Sequence, residues 1–392
     1  MTTEEYGFDS ALSRWGTGCL KYDKLKDRFG SEKLHPMWVA DMDFASPACV
    51  REAIAARLNH PILGYSVLPD DFIPSIMDWV MTHHQWKLQP EWITYIPGIV
   101  KGIGMVINRF LQPGDKVIIQ PPVYHPFRLV PEGNGMDVVY NPLRETSRGH
   151  YEMDFDNLEK VCDERCRLLI LSNPHNPAGL TWSKETLQRL AQICEKHHLL
   201  VISDEIHCDM CLWGHKHVPY ATVSPEAASH SITFGAPSKV FNIPGIVTSY
   251  AIVPNDVLRK KFYGWLEANE FNDPNMLAPL ATIACYRKGE SWRRQMLKTI
   301  EDNILTLEDY CAKYVPRIRP IRPEASFLVW LDCRDLDIPS GSLGDAFIQA
   351  GLALNDGRMF GMEGKGFMRM NVGTTPALLM EGLEKMRAVF GN

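Results

Sequence analysis

Five short apolar runs divide the middle of the chain, and they constrain its fold more than any other feature. The runs are 117–120 (VIIQ), 168–172 (LLILS), 199–203 (LLVIS), 231–235 (SITFG) and 249–253 (SYAIV). They lack alternating polar residues, which is typical of strands in a sheet that is covered on both faces. Helical patterns separate several of them, such as 183–197, where Ser183 is placed to cap the first turn. The alternation predicts an α/β fold with a mostly parallel central sheet.

The C-terminal part of the chain follows a different pattern. Apolar residues recur at helical spacing over 292–314, which predicts one long amphipathic helix leading into a smaller α+β domain. A length of 392 residues agrees with two domains or one large α/β unit.

Composition disfavours several classes of protein. The net charge is −6, and the basic run around Lys260–Lys261 extends only to Arg259, which argues against a general nucleic-acid binder. No apolar run reaches the length of a membrane span, and the first residues do not resemble a signal peptide. Ten cysteines without the spacing of a small disulfide-rich domain indicate reduced thiols and therefore a cytoplasmic location.

Chemically useful side chains follow the predicted strands at the points where the strands end. They lie in "NPHNPAG" (173–179), in "DEIH" (204–207) and at Lys239 in "APSK", and Gly98 precedes a helical stretch. Because ligands of open α/β sheets bind at the carboxyl ends of strands, we expect these groups to meet in one crevice. A helix N-terminus suits a phosphate, and an acid near a lysine suits an aldehyde cofactor with a ring nitrogen.

On these motifs the sequence resembles the fold-type I pyridoxal-phosphate (PLP) enzymes of the class I/II aminotransferase superfamily. More narrowly, it resembles the MalY/PatB-type C–S β-lyases, the cystathionine β-lyase-like group. The narrow resemblance depends on "RWGTGCLKYD" (14–23), "PMWVADMDF" (36–44) and "APSKVFNIPG" (236–245). The segments "NPHNPAG" and "SDEIH" also fit, but "NPHNP" is shared by many aminotransferases.

The resemblance extends over 14–373 and implies the domain organisation of the family. A large PLP-binding domain would comprise 46–284. A small domain would be built from the N-terminal segment 1–45 together with the C-terminal part 285–392.

The resemblance also implies how PLP would be held. Lys239 would bind the cofactor through a Schiff base, and Asp204 would pair with the pyridinium nitrogen and keep it protonated. Asn176 would hydrogen-bond the phenolic oxygen of the ring, with His207 close by. Tyr124 would stack on the ring face.

The phosphate and the neighbouring subunit form the second part of the implied site. The groups around the phosphate would come from Gly98, Ile99, Val100 and Ser238. Tyr65 would reach the phosphate of the neighbouring subunit, so the active unit would be a homodimer with shared active sites.

An amino-acid substrate would be held by a guanidinium and by a loop. Arg369 would bind the substrate carboxylate in a bidentate manner, which suits the planar guanidinium. The substrate would also contact Tyr124, Asn176, Ala40 and Asp41. The loop 39–44 would close over the substrate side of the site. No metal is expected.

Two positions depart from the pattern of the relatives. Val247 occupies the place, eight residues after the lysine, where many members of the wider fold have an arginine, so one charge partner of the phosphate is missing. Cys19 stands where the N-terminal signature usually has a serine.

Each assignment also has a purely structural alternative. Lys239 taken alone is typical of an exposed loop lysine, and Arg369 taken alone is typical of one partner in a surface ion pair. Asp204 reads as a helix cap, Tyr124 as core packing and His207 as a satisfied core histidine. The surrounding motifs favour the cofactor roles for Lys239 and Asp204 most strongly.

Two further motifs are discounted. Cys208-x-x-Cys211 with His215 and His217 allows a zinc site or a redox pair, but the sequence offers no second distant pair of ligands. The glycines of 98–104 do not have the spacing of a dinucleotide-binding fingerprint.

Three functions follow from these residues. The first is a C–S β-lyase that cleaves cystathionine or a related S-substituted L-cysteine to a thiol, pyruvate and ammonia. The second is an aminotransferase acting on an L-amino acid, which the shared motifs allow equally and "PMWVADMDF" disfavours. The third is a regulatory protein that uses the PLP fold as a binding module, which an intact Lys239 and Asp204 disfavour. The physiological substrate stays open.

Overall fold

The computed structural model describes residues 6–339 and 341–391. The α-helices in these ranges are α1 (Leu20–Asp23), α2 (Leu25–Phe29), α3 (Ala48–Leu58), α4 (Phe72–His84), α5 (Ile99–Phe110), α6 (Pro126–Gly133), α7 (Phe155–Val161), α8 (Lys184–Lys196), α9 (Pro225–Ser229), α10 (Asp256–Ala268), α11 (Ala278–Lys288), α12 (Glu290–Tyr314), α13 (Leu343–Gln349) and α14 (Pro376–Phe390).

The strands in the same ranges are β1 (His35–Pro36), β2 (Ile93–Ile96), β3 (Lys116–Ile119), β4 (Asp137–Tyr140), β5 (Arg144–Ser147), β6 (His150–Glu152), β7 (Cys166–Ser172), β8 (Leu200–Asp204), β9 (Ser231–Gly235), β10 (Ser249–Ile252), β11 (Arg319–Ile321), β12 (Leu328–Asp332), β13 (Leu352–Ala353), β14 (Asn355–Asp356) and β15 (Phe367–Asn371).

The central sheet has seven strands in the order β2-β10-β9-β8-β7-β3-β4. Strand β10 runs antiparallel to both of its neighbours, and the other pairs are parallel. The prediction of an α/β fold with a mostly parallel sheet is therefore confirmed. All five apolar runs are strands, with ends that differ from the predicted ones by at most two residues.

Successive residues of the central strands point to opposite faces of the sheet and therefore pack in different apolar layers, one on each face. Ile170 of β7 belongs to the layer that includes Ile103 of α5, whereas Leu169 belongs to the layer that includes Leu187 of α8. Burying each such side chain contributes about 1.5–3 kcal/mol to folding. This two-sided cover explains why most of these strand sequences show no polar alternation. In β9, Ser231 and Thr233 alternate with Ile232 and Phe234, but all four side chains are buried.

The two helices predicted from the sequence are present. Helix α8 begins after Ser183, whose hydroxyl accepts a hydrogen bond from the Thr186 backbone N–H at 3.1 Å. Helix α12 begins two residues earlier than expected, at Glu290, and ends at Tyr314.

A second sheet follows helix α12, in the antiparallel order β11-β12-β15-β14. The N-terminal segment packs beside it, because β1 pairs in parallel with β13. This arrangement agrees with a small domain made from both ends of the chain, although the boundaries at 45 and 284 remain a prediction.

Among the described residues, no helix has the length and apolar character needed to cross a bilayer.

The fold brings the candidate residues to one edge of the central sheet. Parallel strands β2, β7, β8 and β9 all end there, at Ile96, Ser172, Asp204 and Gly235. Helix α5 starts beyond β2 at the same edge, and β15 of the second sheet carries Arg369.

Candidate active site

A cavity of about 320 Å³ lies at this edge of the central sheet. Ten of the predicted site residues line it, namely Ala40, Gly98, Ile99, Val100, Tyr124, Asn176, Asp204, His207, Ser238 and Lys239. Arg369 lies beside the cavity in contact with Asn176. The structure thus collects groups that are separated by up to 199 residues in the chain.

Lys239 is half-buried at the cavity rather than exposed on a loop. Its Nζ donates a hydrogen bond to the Ala40 carbonyl oxygen at 2.6 Å. Burial lowers the pKa of the Lys239 amine to about 8, with the Arg369 charge acting in the same direction and Asp41 and Asp204 opposing. A neutral amine is therefore accessible near physiological pH, which both a nucleophile and a general base require.

Asp204 is the last residue of β8. The sequence had placed it directly after the end of this strand. Burial raises the pKa of its carboxyl group to about 7, although the Ile206 backbone N–H donates to Oδ1 at 3.2 Å. The nearby Lys239 amine lowers this pKa only in part. A cationic group brought into the cavity beside Asp204 would favour the ionised form.

Asn176 and His207 both keep polar atoms available at the cavity. The Asn176 Oδ1 accepts a hydrogen bond from Arg369 Nη1 at 3.0 Å, and in the described part of the chain its amide NH₂ has no acceptor. His207 is buried with Nδ1 unpaired, and burial lowers its pKa to about 3. His207 is thus a neutral imidazole, and the interpretation as a satisfied core histidine is not supported.

The start of helix α5 forms an anion-binding end of the cavity. Gly98, the residue before the helix, has φ of 106°, a conformation that favours glycine, and no side chain caps the first turn. The free N–H groups there suit an anion, as predicted for Ile99 and Val100. Ser238 lies along the same cavity.

Val247 occupies this end of the cavity, where relatives of the wider fold have an arginine. Its γ-carbon lies 3.8 Å from the point where a Cβ atom on Gly98 would be placed. An aliphatic side chain therefore stands next to the start of helix α5, without a charge for an anion.

Arg369 is a buried cation whose recorded partners are all neutral. Nη1 donates to Asn176, and Nη2 donates to Asn355 Oδ1 at 2.7 Å and to the Trp38 carbonyl at 3.3 Å. Nε has no hydrogen-bond partner among the described residues, and the guanidinium carbon lies 4.8 Å from the centre of the Phe360 ring. Burial lowers the pKa of Arg369 to about 10. A ligand carboxylate would supply the missing counter-ion.

The loop 39–44 is held against the site by two asparagines. Asn242, three residues after Lys239, accepts from the Met42 N–H at 2.9 Å and donates to the Phe44 carbonyl at 2.8 Å. Asn371, two residues after Arg369, donates to the carbonyls of Val39 and Asp41. The loop is thus tied to both segments that carry the candidate cations.

Charged side chains anchor the same loop from the N-terminal side. Arg14 pairs with Asp41 at 2.7 Å and with Asp43 at 3.0 Å, and Lys21 pairs with Asp43 at 2.7 Å. The Lys21–Asp43 pair is almost fully buried, and Lys21 helps to keep the pKa of Asp43 below its usual value despite burial. Arg14 thus engages both carboxylate oxygens of Asp41.

Tyr65 does not lie at the cavity of its own chain. It is fully exposed, in the segment between α3 and α4. It lines a second, open cavity of about 1000 Å³, together with residues of β2 and of the segment before α11.

The cysteines and histidines of the discounted zinc motif have separate environments. His217 is buried, and its Nε2 lies 2.7 Å from Glu205 Oε2, whereas His215 is exposed. The Cys211 thiol donates to the Cys208 carbonyl oxygen at 3.5 Å.

A different set of groups, His84, Cys208 and Asp209, has its ligand atoms within 4.8 Å of one another. The Asp209 carboxylate already accepts from Trp79 Nε1 at 3.0 Å and bonds His84 Nε2 at 2.8 Å. Burial raises the pKa of the Cys208 thiol well above its usual value, so the neutral thiol is favoured over the thiolate.

Eight residues of the cavity lining were not among the predicted site residues, and two of them have distinctive side chains. Ile206 presents an apolar side chain within the "DEIH" motif, and Lys101 follows the predicted phosphate residues Ile99 and Val100 directly. The sequence could have indicated them by position, because Lys101 follows Val100 directly and Ile206 lies two residues after Asp204.

A family profile described as "Aminotransferase class I and II" matches residues 38–386. The chain belongs to this family. It is 40% identical over 383 residues to cystathionine beta-lyase PatB of Bacillus subtilis, covering 97% of this chain and 99% of that protein.

Solved structures of similar proteins share the whole fold. A PLP-bound putative aminotransferase from Clostridium difficile 630 superimposes with a TM-score of 0.96 at 35% identity, over 98% of this chain and 100% of the other. The PLP-bound C–S lyase of Staphylococcus hominis gives a TM-score of 0.91 at 33% identity, over 98% of both chains. These likenesses agree with the fold-type I architecture predicted from the motifs.

Proposed function

We propose that the protein is a PLP-dependent C–S β-lyase that acts on cystathionine or a related S-substituted L-cysteine. One observation carries this proposal. A half-buried lysine with a lowered pKa and a buried carboxyl group lie in one cavity of a chain that is 40% identical, over nearly its whole length, to a cystathionine β-lyase.

The residues of the cavity fit PLP. Lys239 offers an amine for the aldehyde, and Asp204 is a buried carboxyl group that would be ionised by a cationic ring nitrogen. Asn176 has a free amide donor for the phenolic oxygen, and the uncapped start of α5 offers N–H groups to the phosphate. Tyr124 lines the cavity as the candidate for the ring face.

When bound, PLP supplies an electron sink that stabilises negative charge on the α-carbon of an amino acid. Arg369 binds the α-carboxylate and fixes the orientation of the bonds at the α-carbon. The Lys239 amine would take the α-proton, and Asp204 would keep the ring nitrogen of bound PLP protonated. The Cβ–S bond then breaks with its electron pair on sulfur. With one water molecule consumed, the products are a thiol, pyruvate and ammonia.

Thiol and pyruvate release from L-cystathionine tests this proposal. We expect homocysteine, measured with a thiol reagent, and pyruvate, measured with lactate dehydrogenase, to appear in equal amounts. Production of either compound without the other would contradict β-elimination. S-methyl-L-cysteine serves as a second substrate, because it carries sulfur on Cβ without a distal amino acid.

The active unit in this proposal is a homodimer in which Tyr65 serves the phosphate of the neighbouring subunit. The support is the exposure of the 62–67 segment, where Ile62, Leu63, Tyr65 and Val67 are all more than half exposed. Contiguous exposed apolar side chains mark a protein interface.

Light scattering at the assay concentration should therefore give twice the chain mass of 44.5 kDa. Tyr65→Phe should weaken PLP binding without changing this mass, since it removes only the hydroxyl group. A fully active monomer would contradict the shared site.

Attachment of PLP to the cofactor-free protein should depend on pH through Lys239 and Asp204. Only the neutral amine attacks an aldehyde, and its pKa of about 8 leaves roughly a tenth of it neutral at pH 7. Raising the pH from 6 also ionises Asp204, whose pKa is about 7.

The rate constant for PLP attachment, followed by cofactor absorbance, should therefore rise with pH and level off above pH 8 to 9. A rate that keeps rising to pH 10.5 would mean that the Lys239 pKa is not lowered. Asp204→Asn should remove the lower part of this profile and shift the upper limb, which belongs to Lys239, to lower pH, because the Asp204 charge raises the Lys239 pKa.

A further inference from the structure

The phosphate end of the cavity is poor in positive charge. Its lining includes the apolar side chains of Ile99, Val100 and Val247 and the neutral hydroxyl of Ser238. PLP carries a phosphate with close to two negative charges, so backbone N–H groups and a hydroxyl leave much of that charge uncompensated.

Lys239 and Lys101 are the lysines that line this cavity, and no arginine does so among the described residues. His207, which also lines it, is neutral because burial lowers its pKa to about 3. The Lys239 amine belongs to the aldehyde end in the proposed function. Lys101 is therefore the remaining cation for the phosphate.

Lys101 occupies an unusual place for a lysine. It is the third residue of helix α5, within the first turn, where the positive end of the helix dipole disfavours a cation. The side chain is exposed, and it has neither an ion pair nor a hydrogen bond within the ranges that the structure describes. An anion bound at the start of α5 would attract the Lys101 ammonium and so offset its repulsion by the helix dipole.

We propose that Lys101 is the charge partner of the PLP phosphate in this protein and takes over the role of the arginine that Val247 replaces. This inference rests on the proposed function, because it assumes PLP as the ligand. A lysine suits the place, since its ammonium is a point charge on a flexible stem that can reach the phosphate from the cavity wall.

The proposal is tested on cofactor binding and not on activity. Cofactor-free protein is titrated with PLP and, separately, with pyridoxal, which has the same aldehyde and ring but no phosphate. Binding is followed by quenching of tryptophan fluorescence. The variants are Lys101→Met, which keeps the stem without its charge, and Lys87→Met as a matched control at an exposed lysine outside the cavity.

Lys101→Met should raise the Kd for PLP roughly 5- to 20-fold at low salt, a moderate effect because an exposed charge is screened by solvent. The loss should shrink as salt is added. The Kd for pyridoxal should stay unchanged, as should both constants in Lys87→Met. Lys101→Arg, which keeps a cation, should bind PLP nearly as well as the unmodified protein.

A rescue variant sharpens the test. Val247→Arg places a guanidinium beside Gly98, since the Val247 side chain already stands next to the start of α5. In the background of Lys101→Met it should recover PLP affinity while leaving pyridoxal affinity unchanged.

Equal PLP affinity in Lys101→Met and the unmodified protein would overturn the inference. An equal loss of PLP and pyridoxal affinity would also overturn it, because that pattern means a general disturbance of the cavity. If the unmodified protein binds neither ligand, the proposed function itself fails. If it binds both equally well, PLP binding stands and the phosphate role of Lys101 is wrong.

Discussion

Replacing Lys239 with alanine is expected to lower the rate of pyruvate formation from L-cystathionine by at least ~10⁴-fold, since the variant lacks both the attachment amine and the general base. Lys239 lies half-buried at the cavity with a lowered pKa, and the other lysine of the lining, Lys101, is exposed and stands at the opposite end of the proposed cofactor. No neighbouring amine can replace it. The measurement is a coupled pyruvate assay at saturating substrate.

The same variant should lose the covalent link to the cofactor. Borohydride treatment should fix PLP to the unmodified protein at Lys239, as mass spectrometry of its peptides would show. In Lys239→Ala, borohydride should fix none, and added methylamine should restore part of the pyruvate formation. Lys87→Ala, at an exposed lysine outside the cavity, controls for the loss of one positive charge. Covalent fixation that persists in Lys239→Ala would disprove this assignment.

Replacing Arg369 with methionine should lower kcat/KM about 30- to 1000-fold for every amino-acid substrate, which corresponds to roughly 2–4 kcal/mol of lost transition-state binding. The physical reason is that Arg369 is a buried cation held by neutral groups, with an unpaired Nε. The α-carboxylate of a substrate is the counter-ion it lacks. Steady-state kinetics on L-cystathionine and S-methyl-L-cysteine measure the effect.

A matched variant separates substrate binding from simple damage to the site. Asn355→Ala removes one acceptor of Arg369 but leaves the guanidinium, so its kcat/KM should fall much less. Arg369→Met should still bind PLP, because Lys239, Asp204 and the start of α5 are unchanged and Asn176 loses only the hydrogen bond from Arg369. A variant with unchanged kcat/KM, or with PLP binding lost in parallel, would contradict the carboxylate role.

The sheet and most of the candidate site could be predicted from the sequence because their signals are local. An uninterrupted apolar run of about five residues predicts a buried strand, and the order of strands and helices predicts a parallel sheet. In a parallel sheet the residues after the strands meet at one edge, which is where Asp204, Asn176 and Lys239 lie.

The contacts that hold the loop 39–44 could not be predicted in the same way. Asn242 and Asn371 bind its backbone from about 200 and 330 residues away, and no pattern in a single sequence reports such pairs. The same holds for the buried Lys21–Asp43 pair. The resemblance marked 14–23 and 36–44 as a signature, and the structure adds that the two segments are joined by ion pairs.

The protonation states of the site residues could not be predicted from the sequence, because they depend on burial in the folded structure. The sequence gives Asp204, Lys239 and His207 ordinary pKa values, and only burial at one cavity moves all three toward their neutral forms. The shared site of the predicted dimer lies beyond a single chain, so the role of Tyr65 stays a prediction.

The central claim is that the chain performs β-elimination, and its dependence on a 2-keto acid tests this most directly. Purified protein with PLP is incubated with L-cystathionine, with and without 2-oxoglutarate, and pyruvate is measured over time. We predict steady pyruvate formation at the same rate in both incubations. If pyruvate is absent and turnover occurs only when 2-oxoglutarate is supplied, the protein is an aminotransferase and the lyase proposal is wrong.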